Sequence, residues 1–212
     1  MIKAIIFDLD GVIVSTDNCH YEAWKDLSDE EGIYFDRIIN ERLRGVSRME
    51  SLEIILEKAK REYSDEEKQK MAERKNDYYK QKIQSITSKD ILKGAYEFVS
   101  EAKEHGIKVA IGSSSKNTMA ILDLIGCTEL FDAVADGNNI KRSKPAPDVF
   151  LLAAEKLGVE AKNCMVVEDA DAGVEAALAA GMKVLAVGYA SKNEKATYNA
   201  DGLYNAEKCW EK

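Results

Sequence analysis

Two prolines, two histidines and four cysteines are all that this chain of 212 residues contains of those types. The cysteines (Cys19, Cys127, Cys164 and Cys209) lie far apart, with no CxxC and no His-containing cluster beside them. That spacing argues against a zinc site or a disulfide scaffold and for reduced thiols, with Cys127 and Cys164 as ordinary core residues. A basic surplus is also missing. Thirty Lys and Arg stand against 38 Asp and Glu, a net charge of −8, so neither a nucleic-acid nor an anionic-membrane partner is expected. No apolar run approaches the ~20 residues of a membrane span. The opening residues pass from a short apolar segment into acidic ones without a secretory pattern, so a cytoplasmic location is expected. At 45% hydrophobic and 32% charged, the composition fits a folded globular protein rather than a disordered tail.

Charge and glycine are unevenly spread. Between residues 15 and 90 the only glycines are Gly32 and Gly45, and more than two residues in five are charged. Apolar residues recur there at helical spacing: Trp24 and Leu27, then Ile38, Ile39 and Leu43, then Leu52, Ile55, Leu56 and Ala59. Ser64 to Glu67 has the form of a capping box opening a long charged helix that reaches about Ile83. Three or four helices without a strand predict a bundle-like unit. Elsewhere strands and helices alternate. Strands are predicted at Ile2–Phe7, Ile107–Gly112, Ala133–Ala135, Cys164–Val167 and Met182–Val187. Helices are predicted near Gly94–Glu104, Lys116–Ile125, Pro147–Leu157 and Ala170–Ala180, the first ending at His105-Gly106. The expected fold is α/β: a Rossmann-like three-layer core with a parallel sheet, at 1–14 and 88–212. An α-helical cap at 15–87 is inserted after the first strand.

Ligands of open parallel sheets bind beyond the carboxyl ends of the strands. The first strand ends in Asp8-Leu9-Asp10-Gly11 and the second in Ser113-Ser114-Ser115. Lys144 precedes the helix before the fourth strand, which itself ends in Glu168-Asp169. Taken singly, each is an ordinary loop or surface feature. In order at successive strand ends they form a constellation of carboxylates, a hydroxyl and a cation, whose oxygen donors suit Mg²⁺. The chain's only prolines, Pro145 and Pro147, stiffen the segment that presents Lys144; the first biases Lys144 towards an extended backbone and the second can open the following helix.

Phe7-Asp8-Leu9-Asp10-Gly11-Val12-Ile13, Gly112-Ser113, Lys144-Pro145 and Glu168-Asp169 together resemble the four motifs of the haloacid dehalogenase-like superfamily. The resemblance implies Mg²⁺-dependent phosphoryl transfer through a phosphoaspartate. Asp8 would be the nucleophile and Asp10 the general acid and base. Ser113 and Lys144 would hold the phosphoryl oxygens. One Mg²⁺ per chain would sit on Asp8, the Asp10 carbonyl and Asp169, with Glu168 nearby.

A second set of residues bears on what accepts the phosphoryl group. Thr16 and His20 share a face as the first cap helix begins. Arg44-Gly45-Val46-Ser47-Arg48 lies in a break between helices, and Lys75-Asn76 sits in the long charged helix. With Ser115-Lys116-Asn117, this set is similar to that of the phosphomutase branch of the superfamily, apart from Arg44 in place of lysine, Ala170 in place of serine, and no aspartate at Val14-Ser15. The implied activity interconverts β-glucose 1-phosphate and glucose 6-phosphate through glucose 1,6-bisphosphate, with that bisphosphate or another phosphoryl donor as primer. Arg48 would grip the phosphate distal to Asp8, and His20 would couple cap closure to Asp10. Hinges are expected near Val14–Asp17 and Gln84–Lys89. A monomer acting on a small sugar phosphate is expected. The main alternative is a sugar-phosphate phosphatase. A phosphoaspartate signalling receiver is a remote one, since a receiver needs neither a second acid/base nor a lid.

Overall fold

The structure, a computed structural model, describes residues 1–208 and 210. Cys209 lies outside the described residues. Two compact units emerge, one of Met1–Ser15 with Ile86–Lys212 and one of Thr16–Ser85.

The first unit is built on strands β1 (Ala4–Phe7), β2 (Lys108–Gly112), β3 (Ala133–Ala135), β4 (Cys164–Glu168), β5 (Lys183–Ala186) and β6 (Tyr198–Asn199). All neighbours are parallel, in the order β3-β2-β1-β4-β5-β6. Every residue of β1 is buried, as a strand covered on both faces requires. Ile5 pairs with Val109 on one side and Met165 on the other. Ala4 and Ile6 pack into a cluster with Val149, Phe150, Val166 and Val174. Phe7 instead meets Phe98 and Phe131 edge-on, with ring centroids 6.1 Å apart in both pairs. Alternation by two thus sends successive side chains to opposite layers.

The predicted strands are all present: β3 has the predicted bounds, β4 runs one residue further, and β1, β2 and β5 are shorter by one or two residues. A sixth, β6, was not expected. Its two residues carry no apolar run, and it exists by pairing with β5, flanked by Thr197 N–H donating to Val184 O at 2.9 Å and Ala200 N–H to Ala186 O at 3.0 Å.

The second unit holds helices α1 (Asp17–Glu30), α2 (Arg37–Glu41), α3 (Arg48–Leu56) and α4 (Asp65–Lys82), with no strand among them. Trp24, Leu27, Ile39, Leu52, Ile55, Met71 and Ala72 form its core. Ser64 caps α4 as expected: its hydroxyl accepts from Glu67 N–H at 3.3 Å, and the Glu67 carboxylate accepts from Ser64 N–H at 2.8 Å. Ile38 departs from expectation. It is 78% exposed while Ile39 is buried. Adjacent residues on a helix point about 100° apart, and α2, only five residues long, buries one of them.

The remaining helices belong to the first unit: α5 (Ala95–Glu104), α6 (Thr118–Ile125), α7 (Asp148–Leu157) and α8 (Asp171–Ala179). Phe98 of α5 covers one sheet face, and Val149, Phe150 and Val174 of α7 and α8 cover the other. The result is a three-layer α/β core. Its strand order reverses at β1 and β4, so the crevice beyond their carboxyl ends is the place for a ligand. Among the described residues, no helix is long and apolar enough to cross a membrane.

Candidate active site

Four charged side chains converge where β1 and β4 end. Lys144 is 5% exposed, and its Nζ donates to Asp8 Oδ1 at 2.7 Å and to Glu168 Oε1 at 2.5 Å. Glu168, 1% exposed, uses its other oxygen to accept from Asp169 N–H at 2.8 Å and Ala170 N–H at 2.9 Å. Carboxylate oxygens of Asp8, Glu168 and Asp169 all lie within 4.8 Å of one another. One ammonium faces three carboxyl groups, and the imbalance is visible in the proton affinities of Lys144, Glu168 and Asp169. Burial would lower Lys144, but the charges of Asp8 and Glu168 hold it above the usual lysine range. Burial raises Glu168, with Asp8 adding to the effect and Lys144 opposing it. Asp169 is pushed up to about 9 by burial first, then by Glu168, Asp8 and Asp10. A dication at these oxygens would supply the missing positive charge, and an all-oxygen donor set fits Mg²⁺.

Two glycines make this crowding possible. After β1 the chain turns tightly, with Gly11 N–H donating to Val14 O at 2.8 Å and Ile13 N–H to Leu9 O at 2.9 Å. Gly11 has φ +80°, and a Cβ there would stand 2.0 Å from Asp169 Oδ2. Gly173 in α8 is the other. A Cβ on it would stand 1.8 Å from Glu168 Oε1. The sequence reading missed Gly173, although a glycine inside a predicted helix is a signal of close approach.

Asp10 follows in the same turn, bridged to Val14 and partly exposed. Beyond β2, Ser113 is 4% exposed and its Oγ accepts from Ser115 N–H at 3.2 Å. Ser115 Oγ in turn accepts from Asn117 N–H at 3.2 Å, and Ser115 O accepts from the Thr118 hydroxyl at 2.9 Å. Lys116 is exposed between them. The segment is therefore a folded loop, and α6 starts at Thr118, two residues later than predicted. Asn138 Nδ2 also ties it down, donating to Lys116 O at 3.0 Å.

The residues expected in the helical unit form two groups. Lys75, on α4, is only 2% exposed despite its charge. Its Nζ lies 2.8 Å from His20 Nδ1 and 4.8 Å from the centre of the Trp24 ring. Since an ammonium can only donate, this contact leaves the His20 ring proton on Nε2. Burial, then Lys75, then Arg48 keep His20 well below its ordinary range, so the imidazole is neutral. Arg48, at the start of α3, donates from Nη2 to Asn76 Oδ1 at 2.8 Å. Thr16 is 1% exposed and its Oγ1 accepts from the Tyr79 hydroxyl at 3.0 Å. Tyr79 was not singled out from sequence. Its place four residues after Lys75, on the same helix face, was the available signal.

The second group is the break before α3. Arg44 pairs with Asp17 and with Glu41, and Gly45 is exposed with φ +72°. Val46 is partly buried. Ser47 caps α3, its Oγ accepting from Glu50 N–H at 3.3 Å, so its hydroxyl already has a structural task.

Residues 2–181 match the protein family described as haloacid dehalogenase-like hydrolase. β-Phosphoglucomutase of Bacillus subtilis is 43% identical over 188 residues, which cover 88% of this chain and 83% of that protein. The fructose-1-phosphate phosphatase YqaB of Escherichia coli is 31% identical over 187 residues, covering 86% of this chain and 95% of that one. Among solved structures, β-phosphoglucomutase from Clostridium difficile aligns with a TM-score of 0.92 at 42% identity, over 99% of this chain and 95% of that chain. CbbY from Rhodobacter sphaeroides, in complex with xylulose-(1,5)bisphosphate, is alike in fold, with a TM-score of 0.82 at 24% identity.

Proposed function

Because the chain belongs to the haloacid dehalogenase-like hydrolase family, we propose that it is a cytoplasmic, monomeric phosphomutase that interconverts β-glucose 1-phosphate and glucose 6-phosphate. The observation that carries the mutase over other members is the cationic cluster of the helical unit. Simple hydrolysis needs one phosphate site, whereas a bisphosphate intermediate needs a second, and Arg48 with Lys75 supplies charge for it. The B. subtilis relative supports the same choice.

Asp8 attacks phosphorus and the leaving oxygen departs with a proton from Asp10. In the return step Asp10 takes a proton from the acceptor hydroxyl as that oxygen attacks the phosphoaspartate. Lys144 stays charged beside Asp8, so it neutralises the anion that develops as the carboxylate and phosphate approach. The Ser113 hydroxyl and Lys144 hold the equatorial oxygens. Asp8, the Asp10 carbonyl and Asp169, with Glu168 nearby, would hold Mg²⁺. When bound, the metal screens the negative charge of phosphate and carboxylates. Arg48 grips the distal phosphate, while Ser115, Lys116 and Asn117 contact the sugar phosphate. Glucose 1,6-bisphosphate or another donor primes Asp8.

Arg48→Ala distinguishes this reading from the phosphatase one, which the E. coli relative favours. Losing a charge-assisted hydrogen bond of ~2 kcal/mol should cut isomerisation more than tenfold. Loss of phosphate from enzyme charged with acetyl phosphate should be unchanged. Equal damage to both rates contradicts a distal-phosphate role.

A further inference from the structure

Tyr79 is among the largest fully buried side chains of the protein, and the mechanism above does not use it. Three observations converge on it. Its hydroxyl donates to Thr16 Oγ1 at 3.0 Å. Its ring stacks on His20, with centroids 4.1 Å apart and planes inclined by 27°. Lys75 Nζ, which also holds His20 Nδ1, lies 4.9 Å from the Tyr79 ring centre. One residue of α4 therefore touches both Thr16, which precedes α1, and His20 in its first turn.

These contacts restrict different motions. A threonine hydroxyl can rotate freely, and accepting from a buried phenol fixes which lone pair is used and where its own proton can point. A histidine ring can turn about its terminal bond, and a stacked aromatic face removes that freedom while leaving the edge available. The Lys75 contact already puts the ring proton on Nε2. The stack then decides where that N–H is aimed.

We infer that Tyr79 is a positioning residue for the proposed phosphomutase, its hydroxyl setting Thr16 and its ring setting His20. This rests on the reading of Thr16 and His20 as substrate-side residues. Tyr79→Phe removes one oxygen and keeps the stack; Tyr79→Leu removes both devices. The full-length variants are compared for isomerisation with Mg²⁺ and bisphosphate, thermal midpoint, and His20 titration by ¹⁵N NMR. Tyr79→Phe should lower kcat/KM about fivefold, as loss of one buried hydrogen bond does, with the His20 titration unmoved. In a Thr16→Val background the same change should cost nothing further. Tyr79→Leu should lower kcat/KM beyond tenfold and return the His20 titration towards the ordinary range. A purely structural role predicts a lowered thermal midpoint with kcat/KM unchanged in Tyr79→Phe and an unmoved His20 signal in Tyr79→Leu, and that pair of results overturns the inference. If Tyr79→Leu does not fold, the Phe and Val cycle decides. If the parent protein does not isomerise the sugar phosphate, the substrate reading fails. The His20 titration in Tyr79→Leu then still tests the positioning claim.

Discussion

The two polar clusters of this protein handle charge in opposite ways. At the ends of β1 and β4, Asp8, Glu168 and Asp169 crowd around a single ammonium, and the surplus is negative. In the helical unit, Arg48, Lys75 and His20 lie together, the surplus is positive, and burial first and then that charge keep His20 neutral. The first cluster is short of a cation and the second is disposed towards an anion. The proposed metal-assisted handling of a sugar bisphosphate needs both kinds of site, and a net charge of −8 reveals neither.

The comparison is most severely tested at Lys144. Lys144→Ala leaves buried carboxyl groups without their ammonium and should cost about 3 kcal/mol in denaturant unfolding. Added Mg²⁺ should recover part of that loss, because it would replace the missing charge. An equal loss with and without Mg²⁺ would mean that the cluster holds no metal. A smaller effect is expected at Gly173. Alanine normally favours a helix by about 1 kcal/mol over glycine. Here its Cβ would collide with Glu168, so Gly173→Ala should destabilise by ~2 kcal/mol and weaken Mg²⁺ binding in calorimetry. Stabilisation by this change would contradict the cradle.

The smallest effect lies on the cationic side. His20 titrates lower in the folded protein than in the unfolded chain, so the unfolded chain takes up a proton first as pH falls below ~6.5. Stability should therefore decline on acidification from that point, by at most ~1.4 kcal/mol per pH unit, until the folded protein also protonates. His20→Gln should flatten this part of the unfolding profile. An unchanged slope would remove His20 as its source.

The residues proposed for the phosphate chemistry were legible because the chain confines them: Asp8, Ser113 and Glu168 each end or follow a short apolar segment, and Lys144 stands just before the prolines that open a helix. The capping box at Ser64 was legible for a local reason, since its two partners are three residues apart. Other features depend on partners distant in sequence. Lys75 reads as a solvated charge until α1 supplies Trp24 and His20 to cover it. Tyr79 gains meaning only when Thr16, 63 residues away, meets its hydroxyl. The strand at Tyr198–Asn199 has no pattern of its own and is created by pairing with β5. Ile38 misled because two adjacent isoleucines cannot both serve one helix face.

Phosphorus NMR of the full chain with β-glucose 1-phosphate, Mg²⁺ and a trace of glucose 1,6-bisphosphate tests the central claim most directly. The expected result is a growing glucose 6-phosphate signal with little free phosphate, dependent on the bisphosphate. Free phosphate accumulating in step with substrate loss, and no glucose 6-phosphate, would contradict a mutase and leave a phosphatase in its place.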